Sequence, residues 1–268
     1  MDVTSIDYWA TGQTSFLHRR APGAKMVAWL LALAGVIISQ NLFIILSIYL
    51  ILLTVLLATR LPARRVAGLA AYPVIFALLF AVSQWQVAGP IWGLTIIAKA
   101  TGAALATVLL IATTPYPQVF AVAQRYLPST IGDGLFMAYR SVFIVMDKLQ
   151  HLTRAVRIRG GLSGRRIVGN LRNVGVALGT LAIDSVDYSQ RLYAIMRVRG
   201  YEGRIAAPVS SRPWTGAEAG VAVAGLLVFG LSLVWRVWYR ILNPVSWFPL
   251  LAACIMLIFV EGARVWRR

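Results

Sequence analysis

Long apolar stretches separated by short ones make up most of this chain, and residues 115–214 alone break that rhythm. The apolar runs are Met26–Ser39, Leu42–Thr59, Val66–Trp85, Gly93–Thr114, Gly216–Trp235 and Val245–Glu261. Crossing a bilayer as a helix takes about 17–25 predominantly apolar residues, so the pattern predicts about six transmembrane helices. Only Gln40-Asn41 separates the first two, and Pro73 interrupts the third, where neighbouring helices can re-satisfy the freed backbone groups. The expected fold is all-α, a polytopic integral membrane protein in three parts. These are a four-helix transmembrane region at 1–114, a cytoplasmic helical region at 115–214 and a two-helix transmembrane region at 215–268.

The middle part opens on Pro115, Pro117 and Pro128, which break the chain after the fourth span. Beyond them Leu135, Ala138, Val142, Val145, Leu149, Leu152 and Val156 recur in steps of three and four. That is the seam of an amphipathic helix, which Gly160-Gly161 ends. A second seam runs through Leu171, Val174, Leu178, Leu181, Ser185, Tyr188, Leu192 and Ile195 and closes on Arg199-Gly200. Neither helix suits a bilayer. The first holds Arg140, Asp147, Lys148, His151 and Arg154, the second Asp184, Asp187 and Arg191, and a central charge costs about 2.5–3.5 kcal/mol on insertion. Seams of this spacing predict that the two helices pack on each other or on the underside of the spans.

Composition sharpens the class. The 268 residues are 59% hydrophobic and 13% charged, with a mean hydropathy of +0.73, too apolar for a soluble domain. Yet 26 Lys and Arg against 9 Asp and Glu give a net charge of +17. A nucleic-acid binder can carry that charge, but not threaded between membrane-length apolar runs. With the N-terminus inside, 23 of the 26 basic residues fall in 1–25, 60–65, 115–214 and 264–268, leaving Lys99, Arg236 and Arg240 outside. Positive residues stay cytoplasmic, so both termini are expected there. Asp2 and Asp7 stand where a signal peptide would be basic, and the first run therefore reads as an uncleaved span.

Reactive chemistry is scarce. Cys254 is the only cysteine, and His18 and His151 lie far apart without neighbouring ligands, so no disulfide, metal site, cofactor site or catalytic centre is expected. Ionisable residues within the spans reduce to Lys99 and Glu261 near their edges, which disfavours a secondary transporter. Asp184 and Asp187 read as solvated positions. Gly102, Gly175 and Gly179 read as points of close helix packing, and Trp85, Trp92, Trp214, Trp235, Trp238 and Trp247 as interfacial aromatics.

The feature that stands out is repetition. The two cytoplasmic helices end as Arg157-Ile158-Arg159-Gly160 and Arg197-Val198-Arg199-Gly200, 40 residues apart in numbering. Arginine favours the negative end of a helix and glycine its left-handed cap, so either end alone needs no special role. Twice over, the arginines offer planar, five-donor forks to a partner.

At these residues the chain resembles the transmembrane T component of energy-coupling factor transporters, including the cobalt-type members. That family carries two short Ala-Arg-Gly motifs at the ends of long coupling helices, and Ile158-Arg159-Gly160 and Met196-Arg197-Val198-Arg199-Gly200-Tyr201 are similar to them, with Ile158 and Val198 in place of alanine. His18-Arg19-Arg20-Ala21-Pro22-Gly23-Ala24-Lys25 keeps the His, Pro and Lys of the family's His-x-x-Asp-Pro-Arg-x-Lys, and Thr113-Thr114-Pro115 is also similar. The resemblance implies a non-enzymatic scaffold of a bacterial or archaeal plasma membrane, with the region 115–214 as its coupling helices. Arg159, Gly160, Arg199 and Gly200 would dock on two cytoplasmic ATPase subunits that hydrolyse ATP. Their motion would pass to a separate substrate-binding membrane subunit for uptake of a vitamin or a transition-metal ion. The competing expectations are a permease subunit of an ordinary ATP-driven importer, which presents one coupling loop, and a membrane-embedded transferase, which needs clustered His, Asp or Glu.

Overall fold

The computed structural model describes residues 16–18, 20–59, 63–161, 167–203, 216–238 and 242–266. All regular structure among them is helical: α1 (Pro22–Ile38), α2 (Leu42–Ala58), α3 (Ala63–Ala88), α4 (Pro90–Thr113), α5 (Tyr116–Gln124), α6 (Ser129–Ile158), α7 (Ile167–Val198), α8 (Gly216–Val237) and α9 (Trp247–Trp266), with a 3-10 turn at Asn243–Val245. The expected all-α membrane fold is the one observed. The helices fall into two compact units, one of residues 1–119 with 210–268, the other of 120–209.

Six apolar helices occupy the six expected runs. Three are long and apolar enough to cross a membrane, Pro90–Thr113, Gly216–Val237 and Asn243–Gly262; the apolar stretches Pro22–Ile38, Leu42–Ala58 and Ala71–Trp85 are shorter. At 17 residues, α1 and α2 each extend about 26 Å, a little under the hydrocarbon thickness of a typical bilayer. Among the basic residues that set the expected orientation, Arg19, Arg60, Arg165, Arg166, Arg204, Arg212, Arg240, Arg267 and Arg268 lie outside the described residues, as do Asp2, Asp7 and Trp214.

The membrane unit is built around α1, α2 and α4. Val36, Ile44, Ile48, Leu52, Leu56, Leu105, Ala106, Leu109 and Ala112 form its buried centre. α8 packs on α1, α9 on α2, and α3 on α4. Outer faces stay apolar and uncovered: Ile75, Phe76 and Leu79 on α3 and Ile255, Ile258 and Phe259 on α9 are all exposed. Hydrocarbon accepts such faces; water does not. Ser47, Thr54, Thr95, Thr107 and Thr113 return their hydroxyls to the carbonyl four residues back, so these polar atoms need no partner from the lipid.

Close packing falls on other glycines than expected. A Cβ at Gly225 would meet the Ala28 backbone at 2.6 Å, and one at Gly35 would meet Ser232 Oγ at 3.1 Å, so α8 sits backbone-close on α1. Gly102 makes only ordinary contact with Val36, and nothing lies within 4 Å of Gly175 or Gly179. Glycine in a seam marks possible approach, but the partner helix decides where approach occurs.

Polar contacts gather at the helix ends. At one end the Lys25 ammonium, 4% exposed, donates to the Thr113 carbonyl at the C-terminus of α4 (2.9 Å). Beside it the Ala21 N–H at the start of α1 donates to Glu218 Oε1 of α8 (3.3 Å). At the other end Lys99 donates to the Ile37 carbonyl (3.0 Å), and Asn41 donates through Nδ2 to Asn243 Oδ1 (2.7 Å) while its own Oδ1 caps α2 at Phe43 N–H. Each lysine thus sits on the negative end of a neighbouring helix, and Glu218 on a positive one. The pairings 25 with 113 and 37 with 99 make α1 and α4 antiparallel. They also explain two sequence signatures at once. Pro22 starts α1 without needing its missing N–H, while Lys25 ties that start to the Thr113-Thr114-Pro115 corner. Replacing Lys25 by Met keeps the volume and removes the donor, and should cost about 1.5–3 kcal/mol, the range for hydrogen bonds to charged groups. Thermal unfolding in detergent checks this as a lowered midpoint relative to Lys148→Met, a control at a half-exposed lysine.

Candidate functional site

The second unit contains α6 and α7, and their ends carry the two Arg-Gly pairs. α6 begins six residues before the expected Leu135 and α7 four before Leu171, but both stop where the sequence places their ends. Both ends have the same geometry. Gly160 takes φ +72° and Gly200 φ +81°. Gly161 N–H reaches Val156 O (2.9 Å) and Gly160 N–H reaches Arg157 O (3.0 Å); likewise Tyr201 N–H reaches Met196 O (3.0 Å) and Gly200 N–H reaches Arg197 O (3.1 Å). This is the Schellman closure, in which a left-handed residue lets two N–H groups satisfy the last free carbonyls. Glycine is required by that φ, since nothing lies within 4 Å of a Cβ at either position.

The closure turns the chain sharply away and leaves the preceding side chains bare. Arg159 and Arg199 are exposed, and Ile158 and Val198 beside them are 86% and 89% exposed. Each tip is therefore an arginine fork next to a solvent-facing β-branched side chain.

Three contacts fix how the helices run. Asn173 Nδ2 donates to the Gly161 carbonyl (2.9 Å), Lys148 pairs with Asp184 at 3.5 Å, and the Tyr201 hydroxyl donates to Asp133 Oδ2 (2.8 Å). As one residue number rises the other falls, so α6 and α7 form an antiparallel hairpin. Arg159 lies at one end; Arg199 lies at the other, level with Asp133. From Asp133 to Arg159 the helix rises roughly 40 Å. The Lys148–Asp184 pair is half-exposed and adds little stability; its use here is to report register.

Only part of the expected α7 seam is covered. Leu181 is buried and Ser185, Tyr188 and Leu192 are half-buried, but Leu171, Val174, Leu178 and Ile195 are exposed. Toward its start, α7 therefore presents an uncovered apolar stripe.

Sequence reasoning missed the structure at the foot of the hairpin. α5 follows α4 after two residues and folds back on α6, where Phe120 meets the Phe136 and Tyr139 rings edge-on at 6.2 and 6.1 Å. Gly132 permits the approach, because a Cβ there would overlap the Gln124 side chain. Asp133, 2% exposed, accepts from Gln124 Nε2 (2.9 Å) as well as from Tyr201. Only the position of Tyr201, directly after the second Arg-Gly pair, could have drawn attention to it. Among the described residues no group of three His, Cys, Asp or Glu is placed to hold a metal ion.

Residues 13–209 match the cobalt transport protein family. The chain belongs to that family. This is the family of the T component of energy-coupling factor transporters, and the chain is accordingly a membrane component of such a transporter. The match takes in both Arg-Gly ends and the Lys25–Thr113 link, while α8 and α9 lie beyond it. No curated protein matches the chain significantly.

Two predictions follow the helix ends. Gly160→Ala and Gly200→Ala should each destabilise by about 1–2 kcal/mol through the left-handed φ alone, measurable as earlier amide exchange in the last turn of α6 or α7. Hydrogen bonding to the Asp133 carboxylate raises the Tyr201 phenol above its ordinary 10.0. The link is therefore complete below pH 10 and is lost as pH climbs through the raised value. Ultraviolet titration of the wild type minus Tyr201→Phe should show a phenolate midpoint above 10.

Proposed function

We propose that this chain is the scaffold through which two cytoplasmic ATPase subunits drive a separate substrate-binding membrane subunit. Its cargo is a vitamin or a transition-metal ion. The observation that carries the reading is the pair of identical Schellman tips at opposite ends of one antiparallel hairpin. A dimer of ATPases offers two equivalent grooves related by symmetry, and two equivalent tips roughly 40 Å apart suit one groove each. Arg159 and Arg199 supply the charged forks, Ile158 and Val198 an apolar wedge beside each, and Gly160 and Gly200 the turn that clears the chain from the contact.

Both termini and the hairpin are cytoplasmic in this reading, supported by 23 of 26 basic residues on that side. The uncovered apolar stripe at the start of α7, with Leu171 and Leu178, is available to the substrate-binding subunit. ATP hydrolysis belongs to the ATPases; the chain itself binds no cofactor and is not an enzyme.

Truncating one partner of a buried charge pair at an interface costs about 2–5 kcal/mol. Arg159→Ala and Arg199→Ala should each weaken co-purification with the ATPases, and the double variant should abolish it, while membrane insertion is unchanged. Full recovery of both ATPases with the double variant contradicts the proposal.

A further inference from the structure

The two tips are not held alike. At the first, Asn173 ties the Gly161 carbonyl to the start of α7, so the contact stays inside the hairpin. At the second, Tyr201, immediately after Gly200, donates to Asp133 of α6, a contact inside the hairpin as well. That carboxylate also holds Gln124 of α5, the short helix joined to α4 through Thr114-Pro115. The corner it holds is stiff. Phe120 lies edge-on to Phe136 and Tyr139, Tyr139 in turn to Phe143 at 5.0 Å, and Gly132 leaves the Gln124 side chain no spare room. A buried carboxylate accepting both a phenol and an amide hydrogen is a directional joint, since both donors must keep their angle to keep their bonds.

We propose that Tyr201, through Asp133 and Gln124, is the positioning residue that passes movement of the second tip into the α5–α6 corner. The inference rests on the proposed docking of the tips but adds to it an asymmetry: transmission runs through the Arg199 end. Docking needs Arg199; transmission needs the Tyr201 hydroxyl. The hydroxyl is engaged with Asp133, and its loss leaves the Arg199 and Val198 side chains of the tip in place.

The test uses the whole chain assembled with its ATPases. Tyr126, 83% exposed in the α5–α6 corner, is replaced by cysteine (Tyr126→Cys) in a Cys254→Ser background and labelled with an environment-sensitive fluorophore. ATP with vanadate should shift the label's emission. Adding Tyr201→Phe, which keeps the ring and removes the donor, should remove most of that shift. Bound ATPase and its hydrolysis should be unchanged. Asp133→Asn, which removes the charge from the acceptor, should act in the same direction and serves if the first variant inserts poorly. An undiminished shift in these variants overturns the proposal. So does a reduced shift that merely follows reduced ATPase binding, which assigns the hydroxyl a structural role. Failure of the unsubstituted chain to hold any ATPase is a different result and defeats the docking reading itself.

Discussion

Whether two helices that both end in Arg-Gly present those ends together or apart depends on the direction in which the helices pack. Parallel helices would place Arg159 and Arg199 side by side, fit for one groove. The contacts of Gly161 with Asn173, Lys148 with Asp184 and Asp133 with Tyr201 run in opposite senses along the two chains, so the tips point away from each other. The functional reading follows from that register. At its closing contact a buried Asp133 of α6 accepts from both Tyr201 and Gln124, so the hairpin is joined to α5 at the same point.

The membrane unit solves a different problem with similar means. Its first two helices are short, and its middle is apolar, where Trp29 Nε1 donates to Thr107 Oγ1 (3.4 Å) between α1 and α4. Registration comes from the ends, where Lys25 and Lys99 each cap a neighbour's C-terminus and Glu218 caps the start of α1. These are charges placed where helix dipoles and free backbone groups already call for them. Gly225 and Gly35 then let α8 close on α1, so N-terminal and C-terminal helices that are far apart in sequence become one layer. The same device recurs at both scales: helices held at their termini by a few polar contacts.

Local patterns were the legible part of the sequence. Apolar runs, seams of three and four, and the glycines after Arg159 and Arg199 mark helices and their ends because each signal is set by residues a turn or two apart. The hairpin tips were therefore found, down to the residue. α5 was missed because Pro115 and Pro117 read as breakers, although proline is at ease in a helix's first turn. The cover of the α7 seam stops short of Leu171, Val174 and Leu178; periodicity tells which residues share a face but not how far the neighbouring helix covers it. Glu218 and Asp133 were invisible for a plainer reason. Each finds its partner at a separation, 197 and 68 residues, that no local pattern records.

The central claim is that one chain bridges two ATPase copies, one at each tip. Cross-linking tests it most directly. Cysteines introduced as Ile158→Cys and Val198→Cys, alone and together in a Cys254→Ser background, are joined to the assembled ATPases with a short thiol-to-amine reagent. The account predicts that each single variant captures one ATPase, and that the double variant yields a product holding two ATPase polypeptides on one chain. A double variant that captures only one ATPase, or tips that capture none, would contradict it.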